Sequence, residues 1–190
     1  YVNTKYPTVN LEQAVMDFTY SKGEFKNSNG VDFEISDGMY GFSPGFLSKD
    51  GKDTSSMNGT GFSALKLDKP LHQFCTIDTL LQQSTEQVRT QPVKEKFVGD
   101  VVVTPDCLSD FLGFITGDIS DGKMITGNSI FKDKLNEQIT HPGLTLHSQP
   151  VSDEITDGYF ITGDGYVAEN STIIEKGILK THLLGVYGSR

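Results

Sequence analysis

The stretch at residues 99–135, GDVVVTPDCLSDFLGFITGDISDGKMITGNSIFKDKL, constrains this chain most. Residues 98–103 form a short apolar run of strand type, which predicts a buried strand. Thr104-Pro105 follows with the chemistry of a helix start. Thr is suited to the N-cap, Pro to the first helical position, and Asp106 to the positive end of the helix dipole. Cys107, Leu108, Phe111, Leu112 and Ile115 recur at helical spacing and predict a buried stripe, with Gly117 ending the helix. Residues 118–128 read as a polar, glycine-containing loop, and 129–139 as a weakly helical segment.

The first third, to about residue 67, has a different texture. Short alternating runs lie between Lys22-Gly23, Asn29-Gly30, Asp37-Gly38 and Asp50-Gly51. Such pairs supply the positive φ angles of tight hairpins, so the region predicts an antiparallel meander. Residues 76–90 predict a helix with Thr76 as N-cap and Ile77, Leu80, Leu81 and Val88 on one face. After Pro142 the pattern returns to strands: GLTLHS, GYFIT, STIIEK and GILKTHLLGVY. Glu175-Lys176-Gly177 reads as the turn between the last two. The fold class is therefore α+β, antiparallel strands packed with a few helices. No linker interrupts the chain, which reads as one fragment. It has a strand meander at about 1–67, a helix-rich middle at 76–140 and strand hairpins at 143–190.

Composition narrows the function classes. The 190 residues carry a net charge of −9, which disfavours nucleic acid and anionic membranes as partners. No run approaches the about 18 apolar residues that span a bilayer, and no signal-peptide pattern is present. A cytoplasmic protein, or a piece of one, fits best; the chain opens on Tyr1 rather than Met. Two cysteines, Cys75 and Cys107, make no disulfide framework, and the helical position of Cys107 predicts a reduced core thiol.

Few constellations suggest chemistry. GDISDGKM at 117–124 falls short of a phosphate loop. Met124 stands where a Ser or Thr hydroxyl would reach magnesium, the loop follows a helix rather than a strand, and Asp118 and Asp121 repel phosphate. His141 and His147 are six residues apart, wider than a usual zinc-ligand pair; His72 and His182 stand alone. The aspartate-glycine pairs at Asp37, Asp50, Asp121, Asp157 and Asp164 match no calcium loop and read as turns. Asp153-Glu154 and Asp164 could be paired carboxylates for acid–base work, but default to solvated loop charges.

The order of elements resembles the TldD/PmbA family, whose members are also called modulators of DNA gyrase and include metallopeptidases. The resemblance rests on VVVTPDCLSDFLGFITG, SIFKDKLNEQI, LTLHSQP and TGDGYVAENSTIIEKGILKTHLLGVYGSR. Asp164-Gly165, Ile173-Ile174, Gly177-Ile178-Leu179 and Tyr187 match the family pattern in order and spacing. FKNSNG at 25–30 is similar to the family's Asn-Ser-x-Gly strand end. The likeness runs from about residue 11 to 190 and is most specific in the last third. Family members are much longer, so the chain resembles a central portion of one.

The resemblance implies a site as well as a fold. The active branch carries H-E-x-x-x-H on the helix after the VVV-type strand, two imidazoles binding zinc beside a general-base Glu, with a Cys ligand near the C-terminus. Here that helix reads Ser109-Asp110-Phe111-Leu112-Gly113-Phe114. Ser109 and Phe114 stand at the histidine positions, and Asp110 replaces the Glu. The resemblance is thus to the PmbA-like branch. It implies no catalytic or metal-binding residue in this chain, zinc only in a metal-bearing sister subunit, and Asp110, Asp164 and Gly165 as cavity-lining candidates. It implies a TldD-like subunit or self-association as partner and unfolded peptide as substrate, in a complex that degrades or matures peptides. Two other readings are carried beside it. One is an active metallopeptidase with ligands drawn from His141, His147 or His182; the other is a non-enzymatic binding or scaffold module.

Overall fold

The computed structural model describes residues 1–189 and is α+β, with antiparallel sheets and a few helices. Where the sequence reads as one fragment, the chain divides into two compact units. The first combines Tyr1–Gly23 with Ile35–Val102; the second combines Glu24–Glu34 with the chain from Val103 onward.

Unit 1 is built on two long strands, β1 (Val9–Lys26) and β2 (Asp32–Asp50), whose far ends, from Glu24 to Glu34, belong to unit 2. The antiparallel meander is present, but two of its expected turns are corrected here. Lys22-Gly23 and Asp37-Gly38 lie within strands, not turns. Only Asn29-Gly30 and Asp50-Gly51 reverse the chain, and only there is the glycine left-handed, Gly30 at φ 86° and Gly51 at φ 63°. Three short strands, β3 (Asp53–Thr54), β4 (Asn58–Gly59) and β5 (Phe62–Ala64), then pair in succession along the other side of β2. Registers such as Lys49 with Thr54, Phe46 with Asn58 and Phe42 with Phe62 fix the arrangement. β1 is left as the outer strand of the sheet.

A short helix α1 (Val2–Lys5), a 3-10 turn (Leu71–Gln73) and α2 (Ile77–Glu86) complete unit 1. Its core is Tyr6, Val9, Phe46, Phe62, Ala64, Phe74, Ile77 and Leu81, with the rings of Phe62 and Phe74 stacked at 4.3 Å. Each large aliphatic side chain here contributes about 1.5–3 kcal/mol by leaving water. α2 buries Ile77, Leu81 and Ser84. Val88 lies beyond its last turn, and Thr76 holds the N-cap position without a side-chain cap bond. Ser84 is tolerated inside because it meets Ser48 at 3.0 Å and Ser55 at 3.3 Å, so no buried hydroxyl is orphaned.

Unit 2 contains α3 (Pro105–Asp118), α4 (Asp121–Ile125) and a sheet ordered β6 (Leu146–Ser148), β7 (Ser171–Glu175), β8 (Ile178–Leu179). Ile119, Ile173, Ile174 and Leu179 form its core. The expected β7–β8 turn is present. Glu175 pairs with Ile178, and Lys176 and Gly177 between them both have positive φ, as a two-residue hairpin loop requires.

Several expectations for this half are corrected. Residues 98–103 are not a buried strand: Val101 and Val102 are exposed and unpaired with any sheet among the described residues. α3 starts at Thr104-Pro105 as expected, but its stripe is not core. Cys107, Leu108 and Phe111 are exposed, Leu112 and Ile115 half-buried, and only Asp118 is buried. Only the C-terminal end of that face meets the core, where Ile115 packs against the Ile119, Ile173, Ile174 and Leu179 cluster, so helical spacing alone does not bury the rest. Gly117 lies inside the helix, which ends with Ile119 at the C-cap. Residues 121–125 are helical rather than loop. Residues 129–139 are successive turns, and GYFIT forms only an isolated bridge, Ile161 with Val167. No helix among the described residues is long and apolar enough to cross a membrane.

Candidate functional site

α3 presents the residues that the sequence singled out. Ser109 and Asp110 are exposed on it, and Phe114 is 77% exposed. The helix is anchored at its C-terminal end. Asp118 is ion-paired with Lys123 of α4, the Ile119 side chain is fully buried, and the Ile119 carbonyl accepts the Leu183 amide at 2.9 Å. The Asp118 oxygen facing Lys123 has no well-directed hydrogen bond, so this contact is one of charge rather than aligned donors. Asp110 lies two turns up the helix from that anchor.

Asp164 and Gly165 sit elsewhere in unit 2, at the tip of a turn. Within it the Gly165 amide donates to the Thr162 carbonyl at 2.9 Å, and Thr162 and Tyr166 pair across at 2.8 Å. Gly165 has φ 86°, and a Cβ there would stand 2.8 Å from the Phe25 ring. That contact ties the β1–β2 hairpin tip, which carries FKNSNG, to this turn. Asn27 shapes the tip, its Oδ1 accepting the amides of Asn29 and Val31 at 2.9 and 3.1 Å.

Asp164 also accepts the Val186 amide at 3.0 Å. The adjacent Gly185 amide donates to both oxygens of Asp121, at 3.1 and 3.2 Å. Two carboxylates remote in sequence therefore hold consecutive amides of one segment. A Cβ at Gly185 would stand 3.0 Å from an oxygen of each, and one at Gly188 would overlap Asp121. Glycine here serves close approach rather than turn geometry, because a side chain at either position would push the carboxylates off the amides they hold. Sequence reading missed Asp121 as a clamp because Asp-Gly resembles a turn. The signal that could have found it is Ser120-Asp121, which has the N-cap and first-turn chemistry of a helix. Asp153-Glu154 does not join this pair in any hydrogen bond or ion pair found.

The histidines are dispersed. His141 Nδ1 accepts the Gly143 amide at 3.0 Å, and His147 Nδ1 meets Thr172 Oγ1 at 3.0 Å on the β6–β7 pair. His182 Nε2 lies 3.2 Å from the Phe131 carbonyl and must carry the proton to bond it. Among the described residues, no three His, Cys, Asp or Glu side chains converge as a metal site.

Unit 1 offers a different feature, an apolar cavity of about 300 Å3 lined by Leu11, Phe42, Pro44, Leu71, Ile77 and Leu81, with the rings of Tyr1 and His72 also in its wall. The Tyr1 and His72 rings stack at 3.5 Å. Beside them Asp78 accepts bonds from Lys5 at 2.8 Å, Tyr6 at 2.9 Å and the Tyr1 hydroxyl. Partial burial alone pushes the Asp78 carboxyl up. The donors from Lys5, Tyr1 and Tyr6 outweigh it and bring the pKa down to about 2. The same contacts raise Lys5.

Residues 97–190 match a family model described as the PmbA/TldA metallopeptidase C-terminal domain. Over this half, the chain belongs to the PmbA/TldD family. Three further proteins are similar to this chain. The metalloprotease MJ0996 of Methanocaldococcus jannaschii is 30% identical over 84 residues, 44% of this chain and 19% of that protein. TldE of Thermococcus kodakarensis has the same fold over 99% of this chain, at TM-score 0.77 and 14% identity. A Bacteroides thetaiotaomicron protein named for a proposed role as a DNA gyrase modulator aligns over 93% at TM-score 0.66 and 23% identity. The chain spans only 42% and 39% of those two proteins. At these identities they speak for fold alone.

Proposed function

We propose that this chain is the metal-free, PmbA-like side of a PmbA/TldD-type peptidase complex acting on unfolded peptides in the cytoplasm. The observation that carries the reading is the residue set on α3. Zinc needs imidazole, thiolate or carboxylate donors, commonly three from a protein in a catalytic site. Ser109 and Phe114 at the family's histidine positions offer a weak hydroxyl and a ring with no donor atom. Asp110 is exposed and gathers no partner ligand among the described residues. These residues do not fit zinc, and no step through a metal is derived for this chain. His141, His147 and His182 do not supply the deficit, since a ring nitrogen of each meets a protein partner and no three His, Cys, Asp or Glu side chains converge among the described residues.

The exposed row Leu108, Phe111 and Phe114 supports a docking role for α3. A TldD-like subunit carrying the metal motif is the partner we assign to it, with self-association as the alternative. The chain would then complete the wall of a peptide-holding cavity rather than perform the chemistry. The test is co-expression with such a sister subunit, followed by affinity purification, elemental analysis and a peptide-cleavage assay. A stable complex is expected, with cleavage only in the complex and no stoichiometric zinc on this chain alone. One zinc per chain, or cleavage by the chain alone, overturns the reading.

A further inference from the structure

The outer strand β1 is unusual for an exposed edge. It runs 18 residues, against about 5–6 for an ordinary strand, and among the described residues it pairs only with β2. Its outer row of amides and carbonyls is a template for another strand, which proteins ordinarily blunt with lysine, proline or a covering element. Residues 9–21 contain neither lysine nor proline. Instead they expose Leu11, Val15, Met16, Phe18 and Tyr20. The charges in this part are Glu12 and Asp17, and neither has an ion-pair partner among the described residues.

The apolar cavity of unit 1 reaches this same edge, because Leu11 forms one of its walls and is itself half exposed. At about 300 Å3 it lies at the lower end of the range of ligand pockets, about 300–1,000 Å3. That suits one large aliphatic or aromatic side chain. In strand addition, main-chain bonds give affinity and pockets for alternate side chains give specificity. Both parts are present together here.

We propose that β1 captures an extended basic and apolar peptide as an added antiparallel strand. A residue opposite Leu11 shares its face, so its side chain enters the cavity. The next residue falls opposite Glu12 on the other face, and one six positions from the anchor falls opposite Asp17. Lysine or arginine at both positions meets the unpaired carboxylates, and the net charge of −9 favours encounter with such a peptide. The inference deepens the reading that the protein handles peptide chains, and it assigns the capture step to unit 1.

The test uses the full chain and a dye-labelled, end-capped peptide, Lys-Thr-Val-Thr-Thr-Lys-Leu, read by fluorescence anisotropy. Neither the sister subunit nor cleavage enters the measurement, so failure here is separate from failure of complex formation. Saturable binding is expected. Replacing the probe's leucine by alanine should weaken it at least about tenfold, the scale of one buried leucine side chain. Methylating alternate backbone nitrogens of the probe should abolish binding, and Glu12→Lys in the protein should weaken it severalfold. The inference is overturned if nothing binds up to millimolar protein, or if the alanine or N-methylated probe binds as well as the parent. Sedimentation showing a dimer that excludes the probe from β1 overturns it too, in favour of a second copy as occupant.

Discussion

Replacing Gly177 by alanine tests the structural reading of unit 2 at its most demanding point. Gly177 closes the β7–β8 hairpin at φ 83°, a conformation that costs an L-residue about 1–3 kcal/mol. It is also enclosed by backbone. A Cβ there would stand 2.5 Å from the Thr140 carbonyl oxygen and 3.0 Å from that of His141. Neither atom can rotate away as a side chain would. Relief requires the 139–144 segment to shift. That segment is held by Ile139 and Thr140 amides donating to the Gly177 carbonyl at 2.8 and 3.2 Å, and by the Gly177 amide donating to Leu144 at 2.8 Å. Losing one such bond adds about 1 kcal/mol. The expected total is about 3 kcal/mol, a large share of the about 5–15 kcal/mol that holds a domain together. Urea unfolding followed by far-UV circular dichroism and tyrosine fluorescence should show the midpoint falling by about 1–2 M. Gly23→Ala is the control: Gly23 lies in β1 with open space around its Cβ position, and its change should stay within about 0.5 kcal/mol. If Gly177→Ala also stays within that margin, the enclosed left-handed turn is refuted.

Asp78 sets an acid limit on unit 1. Its folded pKa of about 2 lies below the ordinary 3.8, so its contribution is fully present above pH 4 and is lost as pH falls towards 2. The urea midpoint should drop over that interval in the parent, and the drop should shrink in Asp78→Asn. Phe114→Asp should leave the midpoint within about 0.5 kcal/mol of the parent, because the ring is exposed, yet weaken capture of the sister subunit. Equal capture by Phe114→Asp would remove α3 from the proposed interface.

Local chemistry was legible in the sequence wherever it is self-contained. The Thr104-Pro105 helix start and the Lys176-Gly177 loop depend on a few adjacent residues, and both are where the spacing puts them. Xaa-Gly pairs were legible only in part. Gly38 and Gly41 serve close cross-strand approach instead of a turn; a Cβ at Gly38 would stand 3.2 Å from the Phe18 ring, and one at Gly41 2.7 Å from Asp17. A single sequence does not say which use a glycine has. Burial was the least legible property. Leu108 and Phe111 have helical core spacing, but spacing shows that an apolar face exists, not what covers it. The Asp121–Gly185 and Asp164–Val186 clamps could not be read from the sequence, because they join residues 64 and 22 positions apart.

The assignment of the β1–β2 hairpin tip to unit 2 bears on how this architecture can be exchanged or shortened. The family model begins at residue 97, yet the turn at Gly165 is backed by Phe25 and Asn27, far upstream. A segment cut at 97 would inherit the Asp121 and Asp164 clamps and lose the ring against which Gly165 rests. The matched family segment is therefore not the whole of the compact unit it lies in. Recombination that respects it must bring the hairpin along or supply another residue to fill the place of Phe25.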